Sequence, residues 1–407
     1  MKNKKVCVIG LGYIGLPTAT FIANAGFSVA GVDINRDAIS TINDGKIHII
    51  EPGLEELVFK ATSTKNLIAY DCVQPSDIYM ICVPTPFKKD SDLIEPDMSH
   101  VFDAVDKIAI HLKSGDLIIL ESTSPVGTSE KIENYIIDKG FKRGSFGIGY
   151  CPERVLPGKI IEEFINNDRI IGGNNIETTS TICEFYKYFT DCNLHQTNSK
   201  TAEMSKLSEN SFRDVNIAFA NELSILCHEE GIDVWELIRL TNHHPRVNVL
   251  QPGTGVGGHC ISVDPWFIVS KSPEKTKLIK TARNVNDMKP KWVVDNILSH
   301  VEAFKSKNGR DPILALYGLT FKPNIDDLRQ SPAIEVAKDL SNKNLKILVV
   351  EPNIERIDGM NAVNLNIAIE KADIHAVLVG HEEFKDPIFI SKLRELNFID
   401  YCGILQD

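Results

Sequence analysis

The sequence predicts an α/β chain with two doubly wound parallel-sheet domains joined by a helical middle section. Three observations carry this. Strand-sized apolar runs alternate with helix-period segments from Lys5 to about Gln196. A stretch from about Asn198 to Glu230 then follows a helical pattern with no Gly or Pro. Alternation resumes at Ile313. A length of 407 residues, too great for one ordinary core, agrees with two or three domains.

The elements follow in order. Lys5–Ile9 is a buried strand, Leu16–Ala25 a helix and Phe27–Val32 a second strand closed by Asp33, together a βαβ unit. Candidate strands follow at Asp77–Val83, Asp116–Leu120 and Phe146–Tyr150, with helical patterns at Ser99–Leu112 and Val126–Asp138 between them. Short strands near Arg169–Ile171 and Asn193–Gln196 finish the first domain, residues 1–197. Helices over Asn198–Glu230, Asp233–Leu240 and Lys275–Phe304, the last with a possible kink at Pro290, make a middle section of residues 198–305. A helix of this length suggests a span between domains or a dimer interface. Asn308-Gly-Arg-Asp-Pro312 is a linker. Strands at Ile313–Tyr317, Leu345–Val350 and Ile374–Val379, with a helix at Pro332–Leu340, make a smaller α/β domain of residues 306–407.

Composition narrows the function. A formal net charge of -11 argues against a general nucleic-acid binder, while an anionic small ligand needs only a few local donors. The nine cysteines are scattered without a C-x-x-C pair, and the apolar run after Lys5 breaks at Gly10, too early for a secretory signal. No stretch approaches the roughly 20 apolar residues that span a bilayer. These features predict a reduced, cytoplasmic protein with no membrane partner.

Gly10-x-Gly12-x-x-Gly15 leaves a strand, opens a helix and is followed 18 residues on by Asp33. Gly10 makes the tight turn, Gly12 lets a pyrophosphate approach the backbone, and Gly15 lets helix and strand touch. The helix N-terminus, with Tyr13 and Ile14 leading into it, favours the phosphate charge. Asp33 can accept both ribose hydroxyls and would repel a 2'-phosphate, so a Rossmann-like NAD site is favoured over an NADP site. FAD shares the fingerprint. Arg36 either positions the adenosine or is simply solvated.

Cys82-Val-Pro-Thr85-Pro86 and Glu121-Ser-Thr123-Ser-Pro125-Val-Gly127 follow predicted strands, so Thr85 and Thr123 reach the ligand rim or cap the next helices. Tyr150-Cys151-Pro152-Glu153-Arg154 ends another strand on that rim. Glu153 is a water-holding base there, or a surface carboxylate. Lys206 and Asn210 share a helix face at i and i+4, suited to an oxyanion and a water, or to plain solvent.

The most informative loop is Gly253-Thr-Gly255-Val-Gly257-Gly258-His259-Cys260-Ile-Ser-Val-Asp264-Pro265. Glycines allow close backbone approach. A cysteine at the start of the following helix would have a lowered pKa. Cys260 is therefore a candidate nucleophile, with Asp264 one turn onward. Cys7, Cys82, Cys183 and Cys227 are read as buried structural thiols. His259 beside Cys260 suggests a dyad, but neighbouring loop side chains usually diverge. No metal-ligand spacing is present. Phe321-Lys322-Pro323 and Asp326-Asp-Leu-Arg329 open the last domain, where Lys322 and Arg329 can meet phosphates or stand as surface charges.

In this order the motifs resemble the UDP-glucose/GDP-mannose dehydrogenase family over nearly the whole chain. The residues that carry the resemblance are Gly10-x-Gly12-x-x-Gly15, Val83-Pro-Thr85-Pro, Ser122-Thr-Ser-Pro-Val-Gly127, Pro152-Glu153, Lys206-Leu-x-x-Asn210, Gly-Gly-x-Cys260 with Asp264, and Phe321-Lys322 to Arg329. Val256-Gly-Gly-His259-Cys260 is similar to the branch acting on UDP-N-acetyl-hexosamines. Pro152-Glu-Arg-Val-Leu-Pro-Gly158, His244-Pro-Arg-Val-Asn248 and Val263-Asp-Pro-Trp-Phe267 point within it to N-acetylmannosamine. Thr254 stands where that branch usually has Pro, a departure that touches loop stiffness.

The resemblance implies an NAD domain, a helical dimerisation centre and a C-terminal UDP-binding domain, in a homodimer or higher homo-oligomer. It implies that Cys260 is the nucleophile, Lys206 the oxyanion stabiliser or base, and Asp264 its partner. Asn210, Thr123 and Glu153 would hold water. Arg154, His244, Arg246, Gly257, Phe321 and Lys322 would meet the sugar nucleotide, with Arg246 acting across the dimer, and Arg329 would meet the cofactor. The activity implied is two-step oxidation of a C6 alcohol to an acid. Two rivals differ in kind. A one-step alcohol dehydrogenase would need no cysteine, and a non-catalytic NAD or nucleotide-sugar sensor would yield no NADH.

Overall fold

A computed structural model describes residues 1–88, 94–156, 158–258, 260–354, 357 and 359–405. The chain divides into two compact units, Met1–Ser208 and Glu209–Asp407.

The first unit contains β1 (Lys5–Ile9), α1 (Gly15–Asn24), β2 (Ser28–Val32), α2 (Arg36–Asn43), α3 (Leu54–Ser63), β3 (Leu67–Tyr70), β4 (Ile78–Ile81) and α4 (Ser99–Ala109). It continues through β5 (Leu117–Leu120), α5 (Thr128–Asp138), β6 (Gly147–Tyr150), α6 (Ile160–Asn166), β7 (Arg169–Gly173), α7 (Ile176–Tyr186) and β8 (Leu194–Asn198). Its eight strands run in the order β3-β2-β1-β4-β5-β6-β7-β8. The order reverses between β1 and β4, which makes a topological switch point where such sheets bind ligands. Alternate residues of β1 enter opposite cores, Val6 and Val8 on one face and Cys7 and Ile9 on the other. Helices cover both faces, as a buried parallel sheet requires.

The expected parallel sheet has one exception. β7 runs antiparallel to β6, pairing Gly149 with Gly173 and Tyr150 with Gly172, while β7 and β8 are parallel. Hydrophobic pattern reports which face a residue takes, not the direction of its strand. β3 and the helices α2, α3, α6 and α7 are additions to the elements read from sequence.

The boundary between units falls inside α8 (Ser199–Glu230), the long helix expected from the Gly- and Pro-free stretch. The second unit continues with α9 (Val234–Thr241), α10 (Asp264–Lys271), α11 (Lys277–Asn308), β9 (Ile313–Tyr317), α12 (Pro332–Ser341), β10 (Lys346–Val350), α13 (Leu365–Lys371), β11 (Ile374–Val377), α14 (Pro387–Arg394) and β12 (Phe398–Asp400). Its sheet is parallel throughout, in the order β10-β9-β11-β12. Leu314 and Leu316 face α11 and α12, whereas Ala315 and Tyr317 face α13 and α14. α11 runs through Pro290 as one element and ends at left-handed Gly309. Ser331 caps α12, with Pro332 at its first turn.

α11 meets the second half of α8 through polar groups. Arg283 pairs with Asp214, Asn286 Nδ2 donates to Asp214 Oδ1 at 2.8 Å, and Asn221 Nδ2 donates to Asn286 Oδ1 at 2.9 Å. Lys289 is buried, donates to Ser224 Oγ at 2.7 Å and lies 3.9 Å from the Trp292 ring centre. Burial lowers its pKa from 10.5 to about 7. The unfolded chain restores the ordinary lysine value and so binds more protons between these limits. Stability contributed by this group therefore rises with pH from about 7 toward 10.5. In Lys289→Met, melting temperatures measured from pH 7 to pH 9.5 should lose that rise and be higher than wild type at pH 7.

Candidate active site

The first unit builds a dinucleotide cradle at its switch point. Gly10 leaves β1 with φ 90, its N–H donating to the Val32 carbonyl at 2.8 Å. A Cβ there would stand 2.8 Å from the Cys82 carbonyl at the end of β4. A Cβ on Gly15 would fall 1.7 Å from the Gly10 carbonyl, so only glycine lets α1 start this close to β1. Gly12 is exposed, and a Cβ on it would meet nothing within 4 Å, which leaves room for a phosphate against the backbone. Tyr13 and Ile14 are half-buried at the approach to α1. Asp33, after β2, accepts the Leu11 N–H at 2.8 Å and the Asn35 N–H at 2.9 Å. Those bonds fix the carboxylate at the end of β2, the position from which the fingerprint expects a ribose diol to be read. The residues fit NAD. Arg36 is exposed at the first position of α2.

The strand ends beyond the cradle are joined by side chains. Thr85 Oγ1 donates to the Thr123 carbonyl at 2.8 Å, and Ser122 Oγ donates to the Val83 carbonyl at 2.6 Å. Glu153 is not a surface carboxylate. It is buried, 2.9 Å from Arg169 Nη2, and accepts the Arg154 N–H at 2.7 Å. The antiparallel course of β7 explains the pairing, because the register that sets Tyr150 opposite Gly172 brings Arg169 opposite Glu153 when continued. Lys206 Nζ donates to the Glu153 carbonyl at 2.9 Å, so its ammonium stands beside that carboxylate's backbone. Arg154 donates from Nη1 to the Asp168 carbonyl at 2.7 Å.

Three residues linked to Glu153 directly or through one another escaped the sequence reading: Arg169, Glu121 and Tyr186. Glu121, buried at the end of β5, accepts from Tyr186 Oη at 2.5 Å, Thr18 Oγ1 at 3.2 Å and Cys82 Sγ at 3.1 Å. Burial, and then the negative charge of Glu153, pushes its pKa up. Burial works against the Arg169 charge, but Glu153 together with Cys151, Tyr186 and Glu121 outweighs it, and the guanidinium stays protonated. The one visible hint was Glu121 itself, an acid closing a run of apolar strand residues.

In the second unit, the glycine-rich loop is fixed by its neighbours. Asn221 Oδ1 accepts the Gly253 N–H at 2.9 Å, and Thr254 Oγ1 donates to the Leu378 carbonyl at 2.7 Å, a bond that proline could not make. A Cβ on Gly258 would stand 2.7 Å from the Phe321 ring, and one on Gly257 would be 2.9 Å from Phe321 Cβ. The double glycine is thus the surface on which Phe321 lies. Cys260 is exposed. It does not open a helix, as the sequence suggested. A turn separates it from α10, which starts at Asp264, and the Asp264 N–H donates to the Cys260 carbonyl at 2.8 Å. Asp264 is buried and accepts from Asn210 Nδ2 at 2.5 Å. His259 lies outside the described residues.

Other candidates lie as follows. His244 and Arg246 are exposed in the turn after α9, and His244 Nδ1 accepts the Arg246 N–H at 3.3 Å. Lys322 is half-buried. Arg329 is exposed and its guanidinium holds Asp327, with Nη2 2.7 Å from Oδ2. Cys7, Cys183 and Cys227 are buried as expected, whereas Cys82 is only half-buried and donates to Glu121 at the strand end. Among the described residues, no group of three or more His, Cys, Asp or Glu could hold a metal ion, and no helix is long and apolar enough to cross a membrane.

Residues 4–190 match the NAD-binding domain of the UDP-glucose/GDP-mannose dehydrogenase family, residues 200–288 its central domain and residues 315–407 its UDP-binding domain. The chain belongs to the UDP-glucose/GDP-mannose dehydrogenase family. It is an NAD-dependent dehydrogenase of UDP-sugars. It is 50% identical over 403 residues to the UDP-N-acetyl-D-mannosamine dehydrogenase of Salmonella typhi, covering 95% of each chain. It is 48% identical over 415 residues to the NDP-N-acetyl-D-galactosaminuronic acid dehydrogenase of Ralstonia nicotianae, covering 98% of this chain and 96% of that one. The solved UDP-D-ManNAc dehydrogenase of Pyrococcus horikoshii superposes with a TM-score of 0.90 at 36% identity, covering 99% of this chain and 96% of the other.

The cradle yields a paired prediction. Gly12→Ala should melt like wild type yet bind NAD at least about tenfold more weakly, because its methyl enters space needed by the pyrophosphate. Gly15→Ala must displace the Gly10 carbonyl and should lose stability as well, by roughly 1–3 kcal/mol. Thermal melts and NAD titration by fluorescence separate the two.

Proposed function

We propose that this dehydrogenase oxidises the C6 alcohol of UDP-N-acetyl-D-mannosamine to the carboxylate in two steps, with Cys260 as covalent nucleophile. The carrying observation is an exposed thiol on a close-approach glycine loop, one turn before the buried Asp264–Asn210 pair. The names of close relatives support the sugar, and the motif order supports the mechanism.

Bound NAD supplies the hydride acceptor for each oxidation. The Cys260 thiolate adds to the C6 aldehyde carbon, forming a C–S bond, and the former carbonyl oxygen takes a proton to give a thiohemiacetal. Loss of hydride from that carbon, with release of the hydroxyl proton to water, leaves a thioester. Water then adds, the C–S bond breaks, and the acid leaves as the thiolate returns. Covalent capture keeps the aldehyde from escaping between steps.

Lys206 serves as the cation for the oxyanion. Thr123, Glu153 and Asn210 hold the water. An ionised Asp264 accepts only, so the Asn210 amide must turn its NH2 toward it and present its oxygen elsewhere, as a water acceptor. Arg154, His244, Gly257, Phe321 and Lys322 bind the sugar nucleotide. Arg329 turns to the cofactor on release from Asp327, and Tyr13, Ile14, Arg36 and Thr85 complete the NAD site. The working division is 1–197 for NAD, 198–305 for dimerisation and the cysteine loop, and 306–407 for UDP. The cytoplasm, where thiols stay reduced, suits the mechanism.

Phe212, Phe219 and Leu226 are exposed on α8 at seven-residue spacing, which supports a homodimer through that helix, with Arg246 serving the partner's sugar. Sedimentation should give twice the chain mass, and Phe212→Glu with Phe219→Glu should give a monomer. A monomeric wild type would end this part of the reading.

NADH yield per sugar tests the chemistry. Wild type should form two NADH per UDP-N-acetyl-D-mannosamine and far less with UDP-N-acetylglucosamine, UDP-N-acetylgalactosamine or UDP-glucose. Cys260→Ser should lose acid formation by a factor on the order of 10³ or more. Two NADH per sugar at full rate from Cys260→Ser would refute the covalent route.

A further inference from the structure

The second unit repeats the turn geometry of the NAD cradle and then departs from it. Gly318 leaves β9 with φ 80, and its N–H donates to the Val350 carbonyl at 2.9 Å, as Gly10 does to Val32 at 2.8 Å. A Cβ on Gly318 would stand 2.4 Å from the Val379 carbonyl, as one on Gly10 would stand 2.8 Å from that of Cys82. Glu351 follows β10 as Asp33 follows β2. Each acid accepts the N–H of the residue after its glycine, Leu319 at 2.7 Å and Leu11 at 2.8 Å.

The departure is in what else the second acid does. The Glu351 side chain has no exposed surface. It also accepts the Thr320 N–H at 3.2 Å and the Asn353 N–H at 3.0 Å, and lies 3.2 Å from His381 Nε2. His381 is buried, and its Nδ1 accepts the Asn324 N–H at 3.0 Å. The ring proton therefore belongs on Nε2, facing Glu351. A ribose diol has no access to this carboxylate.

The pair instead clasps the 319–324 turn from both ends. Leu319 and Thr320 are held by Glu351, and Asn324, in the left-handed region at φ 61, is held by His381. Thr320 Oγ1 closes the turn on the Lys322 carbonyl at 2.9 Å. Between the clasps lie Phe321, set on the double glycine before Cys260, and Lys322.

We propose that Glu351 and His381 are positioning residues for the nucleotide sugar: they lock the turn that seats Phe321 on Gly257-Gly258 and carries Lys322. This rests on the assignment of Phe321 and Lys322 to the sugar nucleotide. The acid that reads ribose in the first unit has become, in the second, an internal clasp for a binding loop.

The full-length enzyme tests it through melting temperature, NAD affinity, UDP affinity by calorimetry, and KM and kcat for UDP-N-acetyl-D-mannosamine. His381→Ala and Glu351→Gln should each weaken UDP binding and raise KM for the sugar nucleotide by about tenfold or more, with NAD affinity unchanged. His381→Asn, whose amide oxygen can replace Nδ1 as acceptor for Asn324, should recover part of the loss. Where His381→Ala fails to fold, the shape-conserving Glu351→Gln gives the same reading. Lys322→Ala is the control. If it weakens UDP binding while folded His381→Ala or Glu351→Gln does not, the clasp is overturned. If Lys322→Ala leaves UDP binding unchanged, the assignment beneath the proposal is overturned instead.

Discussion

A carbonyl oxygen standing where a side chain would otherwise begin is the constraint from which the cofactor site grows. The Gly10 carbonyl lies 1.7 Å from the position of a Gly15 Cβ, and the Cys82 carbonyl lies 2.8 Å from that of a Gly10 Cβ. With no Cβ at either place, α1 begins against the end of β1 and its N-terminus faces the rim. The Leu11 N–H released by the turn is taken by Asp33, which holds that carboxylate at the end of β2. Position of the helix dipole, room at Gly12 and orientation of the acid all follow from one close approach.

The rim beyond it depends on charge taken out of water. Glu153 is buried and paired with Arg169, and a lone buried carboxylate would be costly. Lys206 is tied to the backbone of the same residue rather than to its carboxylate. The ammonium therefore meets the Glu153 carbonyl, while the Glu153 carboxylate is taken up by Arg169. Glu121 sits behind this pair with its pKa raised, and it donates no second full charge to the cluster at the pH where it is protonated.

Much of the fold was legible because the signals are local. β1, β2 and β9 are apolar runs ended by glycine or by an acid, and α8 is a long stretch without breakers. β3 was not legible: it is an edge strand of four residues in which Leu67 is buried and Ile68 exposed, too short for alternation to register. The direction of β7 was hidden because it depends on where the chain is delivered after β6, and the partner of Glu153 was hidden with it. Of the candidate site, Asn210 and Asp264 were named separately, and their hydrogen bond joins residues far apart in sequence. The glycines before Cys260 were read as permitting close backbone approach, but what uses it was not legible: Phe321 packs on them and Thr254 is anchored to Leu378, so the loop is held at several points.

The reactivity of Cys260 accordingly needs a different account from the one its sequence invites. A thiol at a helix N-terminus is acidified by the unpaired N–H groups and dipole of that helix, effects that fade beyond the first turn. α10 starts at Asp264, so the group at its positive end is a carboxylate. That carboxylate accepts from Asn210 Nδ2 at 2.5 Å. Cys260 stands outside the helix on a turn whose carbonyl already receives the Asp264 N–H. Its advantages are exposure and close backbone approach. In the proposal, Lys206 supplies the cation for the oxyanion that forms when sulfur adds to the carbonyl.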